Sequence, residues 1–137
     1  MVEWTLSAPT FAEFDIRVQG TGMSIPEMGY AAGGHFALGG NGGTLGDIYS
    51  SPDDPLFWLH YANVDRLWEK WQRAKWETRK GEIAGPNTQF AGPWKFYGEK
   101  ETGEVTVGSE LDFGGLIEGV KVGEVMDSGE LCYGYEG

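Results

Sequence analysis

One stretch constrains the fold more than any other. Ser51-Pro52-Asp53-Asp54 combines a helix-capping serine, a proline suited to the first helical position and two acids that favour the positive end of a helix dipole. Behind it, Phe57, Tyr61, Val64, Trp68 and Trp71 recur at spacings of 4, 3, 4 and 3, which is one continuous helical stripe. Lys70, Arg73, Lys75, Arg79 and Lys80 gather late, where cations suit the negative end of the dipole, and Gly81 is a natural stop. The pattern predicts a helix from about Pro55 to about Lys75, with Tyr61 facing whatever the helix packs on and Asp65 one turn further along the same side.

The rest of the 137 residues is organised around that helix, and the length favours a single domain spanning 1–137. Residues 1–22 hold a short helix near Phe11–Val18, with Thr10 and Glu13 in a capping-box pattern. Residues 23–81 begin with a stretch rich in glycine pairs (Gly33-Gly34, Gly39-Gly40, Gly42-Gly43), read as a loop that turns often, and end in the long helix. A phosphate-cradling role for this loop is disfavoured, because no Gly-x-x-x-x-Gly-Lys pattern occurs and the stretch contains no lysine. Residues 82–137 read as loops and short strands. Glu104–Val107 and Gly119–Val125 alternate, and a turn over Glu99–Gly103 follows Trp94–Tyr97. The expected class is mainly α, with irregular Gly-rich loops and a small C-terminal β segment.

Lys and Arg number 10 against 21 Asp and Glu, a formal net charge of -11, so neither nucleic acid nor an anionic membrane is an expected partner. No apolar run approaches the length of a membrane span. Met1-Val2-Glu3-Trp4 shows no basic n-region and no apolar h-region, and a cytoplasmic location is the expectation. Cys132 is the only cysteine, which excludes an intrachain disulfide and a cysteine-based zinc cluster, and it has no histidine beside it in sequence. Two histidines exclude, by counting, any centre built from three imidazoles of this chain.

Five side chains have the chemistry for a site: Glu27, His35, His60, Tyr61 and Asp65. Asp65 is expected to pair with the Tyr61 hydroxyl as a satisfied buried group. His60, about 100° around the helix from Tyr61, reads as a packed, hydrogen-bonded histidine. His35, between glycine pairs and near an aromatic helix face, suggests a pocket, with Phe36 and Phe57 among its walls.

The run Ser51-Pro52-Asp53-Asp54-Pro55-Leu56-Phe57-Trp58-Leu59-His60-Tyr61-Ala62-Asn63-Val64-Asp65-Arg66-Leu67-Trp68 closely resembles the copper-B signature of tyrosinases. Gly33-Gly34-His35-Phe36-Ala37-Leu38-Gly39-Gly40 looks like the segment that carries that signature's earlier histidines, and Tyr133-Gly134-Tyr135 is similar to the Tyr-x-Tyr close of the family's catalytic domain. The resemblance, nearest to short fungal-type tyrosinases, covers nearly the whole chain. It implies half of a four-helix bundle in which six histidines hold two coppers, the copper-A half having no counterpart within these residues. Carried over by position, the three copper-B ligands fall on Ala31, His35 and Tyr61, so His35 alone keeps its imidazole. His60 matches the companion histidine before the third ligand, Glu27 resembles the family acid near the site, and Asp65 with Arg66 match a structural pair behind it.

The resemblance therefore implies a tyrosinase-like protein without type-3 copper chemistry. Such a protein would hold a small phenolic or polyketide-like molecule in a pocket lined by Phe36, Phe57, His60 and Asp65, with Glu27, His35 and Tyr61 for redox-neutral acid–base work. No cofactor is expected, copper being the family's alternative and His35 its residual ligand. The alternatives are an assembly module that pairs with itself, as a homodimer, or with a copper-A-like chain, and a copper oxidase completed in a complex.

Overall fold

The computed structural model describes residues 1–22, 24–40, 42–47, 49–87 and 103–136. The expected stretch Trp94–Tyr97 and the turn beginning at Glu99 lie outside the described residues. The chain is mostly helical and divides into two compact units, Met1–Trp71 and Gln72–Gly137.

The first unit contains α1 (Val2–Leu6), α2 (Phe11–Gln19), α3 (Tyr30–Gly39) and most of α4 (Pro55–Arg73). Thr10 caps α2 as its sequence predicts, its hydroxyl accepting the Glu13 N–H at 3.3 Å. Ala8, Phe14, Val18, Ala31, Leu67 and Trp71 form the buried core, with Phe11, Val64 and Trp68 packed against it. The Phe14 and Trp71 rings lie 5.3 Å apart, and Phe11 stands 5.9 Å from Trp68 and 6.2 Å from Trp71. Aromatic pairs of this kind add about 0.5–1.5 kcal/mol each beyond the area they bury. The Trp71 indole N–H donates to the Ala8 carbonyl at 2.8 Å, which ties the end of α4 to the α1–α2 connection.

Three sequence expectations need correction in this unit. The Gly-rich segment is not all loop, because residues 30–39 of it form α3. Two helical glycines cost about 1 kcal/mol each relative to alanine, and tertiary packing overrides that preference. A Cβ on Gly34 would lie 2.2 Å from the His60 ring, so glycine is what lets α3 and α4 approach.

Ser51 does not cap α4. Residues 51–53 form a separate 3-10 turn, and α4 starts at Pro55 with the Asp54 carboxylate accepting the Leu56 N–H at 2.9 Å. Proline disfavours the helical region for the residue before it, and Asp54 is extended at φ -85°, ψ 126°. Pro55 therefore sets the true start.

The buried seam of α4 is also rotated from the expected stripe. His60, Leu67 and Trp71 are buried, with Val64 partly so, whereas Tyr61 is 41% exposed.

The second unit contains α5 (Trp76–Arg79) and the antiparallel pair β1 (Glu110–Leu111) and β2 (Val120–Lys121), in register Glu110↔Lys121 and Leu111↔Val120. Arg73 sits 4.0 Å over the Trp76 ring and pairs with Asp127 at 2.5 Å. The C-terminal β segment is thus present but short. Within Glu104–Val107 only Glu104 makes a bridge, to Pro86, and the chain then turns as Thr106 N–H reaches the Ser109 hydroxyl and Gly108 N–H the Thr106 hydroxyl. After Lys121 the alternating run becomes a 3-10 turn, because the Glu124 carboxylate accepts the Lys121 N–H at 2.8 Å and closes a cap. Among the described residues no helix is long and apolar enough to cross a membrane.

Candidate functional site

The site lies where α3 faces the first two turns of α4. Gly34 has no side chain, so the His60 ring sits directly over the α3 backbone, and its Nε2–H donates to the Ala31 carbonyl at 2.9 Å. His60 is 7% exposed and stacks against Tyr30 at 6.0 Å. It is the packed, hydrogen-bonded histidine that its place in the sequence suggests.

His35 is held differently. Its Nδ1 lies 2.7 Å from the Leu45 carbonyl, which can only accept, so Nδ1 carries the proton. Nε2 then presents a lone pair, and the Tyr61 hydroxyl donates to it at 3.2 Å. The His35 ring makes edge contacts with Phe57 (5.9 Å), His60 (5.4 Å) and Tyr61 (5.6 Å), and Phe57 and Tyr61 are 4.5 Å apart. Burial pushes the Tyr61 phenol above its ordinary value, so it remains a neutral donor.

The structure brings together four of the sequence-predicted residues: His35, Phe57, His60 and Tyr61. The others stand apart from this cluster. The Glu27 carboxylate accepts the Ser24 hydroxyl at 2.5 Å and the Ser24 N–H at 3.4 Å, closing the turn before α3. Phe36 is half exposed and absent from the ring contacts that gather the cluster. Asp65 is partly buried, but the Tyr61 hydroxyl bonds to His35 on α3 rather than to it. Arg66 donates through Nε and Nη2 to Asn63 Oδ1 at 3.0 and 2.9 Å, and Asn63 Nδ2 donates to the Tyr30 hydroxyl. Sequence reading missed Tyr30, Leu45 and Asn63. Asn63 had a signal, lying one turn after the Pro55–Leu59 opening on the α3-facing side. The Leu45 carbonyl had none, since any residue supplies that group.

The residues onto which the resemblance carries the three copper-B positions, Ala31, His35 and Tyr61, do not fit a copper ion. Ala31 belongs to the apolar core at 3% exposure and offers a methyl group. Tyr61 is a neutral phenol whose proton is directed at the His35 Nε2 lone pair. The His60 Nε2 is committed to a backbone carbonyl. Cupric ions favour two or more imidazoles with further donors, and among the described residues no three His, Cys, Asp or Glu side chains converge.

Comparison with known proteins gives this geometry its context. The profile of the common central domain of tyrosinase matches residues 1–74. The chain is 36% identical over 142 residues to N-acetyl-6-hydroxytryptophan oxidase of Emericella nidulans, covering 99% of this chain and 37% of that protein. It is 33% identical over 137 residues to Tyrosinase P of Aspergillus terreus, covering 98% and 36%. A solved polyphenol oxidase from Thermothelomyces thermophila superposes with a TM-score of 0.74 at 27% identity, covering 99% of this chain and 37% of that one. The chain thus spans little more than a third of the length of these relatives. With the profile over more than half its residues and the same fold in a polyphenol oxidase, the chain belongs to the tyrosinase family as a partial, fungal-type member.

Proposed function

We propose that the chain is a tyrosinase-family protein that has given up type-3 copper phenol oxidation and holds a phenolic or polyketide-like molecule against the His35–Tyr61 pair. The observation that carries this is the hydrogen bond from the Tyr61 hydroxyl to His35 Nε2. The nitrogen that would face a metal faces a proton, which is the arrangement of an acid–base pair. His35, oriented by the Leu45 carbonyl, accepts a proton at Nε2, and Tyr61 supplies or relays one. A redox-neutral isomerisation, dehydration or cyclisation needs only such transfers.

Metal analysis of the purified chain after incubation with cupric ion, alongside a catechol oxidation assay, tests the reading. Substoichiometric copper and no oxidation are expected. Near-stoichiometric copper with catechol turnover, alone or with a copper-A-like partner chain, overturns it.

A second reading, an assembly module, is favoured by the start of α4, where Leu56, Trp58 and Leu59 are all exposed, Trp58 at 64% and Leu59 at 68%. A helix that is apolar on every side is normally covered. Light scattering separates the readings: a homodimer stable at micromolar concentration supports the module, and a monomer argues against self-pairing.

A further inference from the structure

Between α3 and the start of α4, and lined in part by His60, the first unit contains an open trough of about 540 Å³. Its walls are Gly33, Ala37 and Leu38 from α3 and Leu56, Leu59 and Asn63 from α4, with Tyr30 at the same wall as Asn63. The size falls in the range of small-molecule sites, and the lining is apolar apart from a few polar groups.

Two features specify an occupant. The first is Gly33. A Cβ there would meet nothing within 4 Å, so the fold itself gains nothing from glycine at a helical position where alanine is about 1 kcal/mol better. Gly34 next to it is explained by His60, whereas Gly33 leaves the α3 backbone open to the trough, where a flat molecule can approach it closely. The second is Tyr30. Arg66 fixes Asn63 Oδ1, so Asn63 Nδ2 donates to the Tyr30 oxygen. The Tyr30 proton is then used by no hydrogen bond among the described residues, and the wall offers one donor beside an apolar floor.

We infer that this trough binds a planar aromatic compound bearing a carbonyl or ether oxygen. The rings lie across Gly33 and Ala37 between Leu38 and Leu59, and the oxygen accepts the Tyr30 proton. The inference rests on the phenolic-ligand reading above for the class of molecule and differs from it in place, since the ligand sits outside the His35–Tyr61 pair.

The test uses xanthone, a flat tricyclic ketone, and fluorene, a comparable hydrocarbon without the oxygen, titrated against the chain by fluorescence. Three variants accompany the wild type. Gly33→Leu fills the trough and is expected to weaken xanthone binding at least tenfold while leaving the unfolding midpoint no lower. Tyr30→Phe is expected to lower the xanthone-to-fluorene affinity ratio about tenfold, the scale of one hydrogen bond. Because the readout is a ratio, a general loss of stability does not imitate it. Tyr61→Phe serves to locate the ligand, since a trough-bound xanthone should lose less affinity there than in Gly33→Leu. The inference is overturned if xanthone does not bind the wild type, or if Gly33→Leu binds it as tightly. Loss of binding in Tyr61→Phe alone would also overturn it, by placing the ligand at the His35–Tyr61 pair and leaving the earlier reading standing. Concentration-dependent dimerisation that Gly33→Leu abolishes would overturn it too, by showing that a second copy fills the trough.

Discussion

Gly33 and Gly34 are neighbours on one helix, and the same substitution at each should have opposite signs. In an exposed helix interior, Gly→Ala stabilises by about 1 kcal/mol. At Gly33 nothing opposes that gain, because the new methyl group meets no atom within 4 Å. At Gly34 the methyl carbon would lie 2.2 Å from His60 Cε1, 2.6 Å from Nε2 and 2.8 Å from Nδ1. The ring cannot step aside cheaply. It is buried, it stacks on Tyr30 and packs against His35, and its Nε2–H is bonded to Ala31. Overpacking costs about 1–3 kcal/mol, and displacing the ring from its hydrogen bond adds about 1 kcal/mol more. Against the helix gain, Gly34→Ala should lose about 1–3 kcal/mol, so the two variants should differ by about 2–4 kcal/mol. At roughly 3–5 °C per kcal/mol for a chain of this length, their thermal midpoints should stand about 6–20 °C apart. Urea unfolding followed by tryptophan fluorescence and circular dichroism reads the difference. If Gly34→Ala is as stable as Gly33→Ala, the close approach of α3 to His60 does not exist, and the orientation of the site falls with it.

Other perturbations follow from the same structure. Trp71→Ala removes a fully buried ring and its bond to Ala8; a loss of about 3–5 kcal/mol in chemical denaturation is expected, and a loss under 1 kcal/mol would place the core elsewhere. The Tyr61 phenol is raised by burial, so the folded state keeps its proton where the unfolded chain has lost it. Its contribution is full below the ordinary phenol value and is lost as pH rises through the raised one; Tyr61→Phe should remove that alkaline component from the stability–pH curve. Burial also raises Asp15, with a Gln19 hydrogen bond partly opposing the shift. The folded state therefore favours the protonated acid, and Asp15→Asn should gain stability at pH 7, with the advantage over wild type shrinking as pH falls below the raised value.

Where local chemistry and tertiary packing agree, the sequence is legible. Thr10 and Glu13 announced α2, and Pro55 to Trp71 announced α4, because capping residues and a repeating apolar spacing are local signals. α3 was not legible, because its glycines argue against a helix one residue at a time. The argument for it, the His60 ring filling the space over Gly34, lies 26 residues away in sequence. The stripe of α4 misled by one position for a related reason. Tyr61 has the greater apolar bulk, but His60 can satisfy both ring and nitrogen inside the α3 contact. In the site, the packed, hydrogen-bonded His60 was legible from its place on the helix. The pairing of Tyr61 with His35 was not, since it depends on α3 being a helix that projects His35 toward α4.

The two imidazoles of the site are anchored in the same way. In both cases the fixing partner is a backbone carbonyl, Leu45 for His35 and Ala31 for His60. Backbone groups survive any side-chain substitution, so a change at position 31 or 61 leaves both anchoring carbonyls in place. The core is equally indifferent: an alanine at 31 packs with Phe14, Val18 and Leu67, whereas an imidazole would need a polar partner there. The proposed acid–base reading draws on that arrangement: one positioned imidazole nitrogen and one phenol, His35 and Tyr61, 3.2 Å apart.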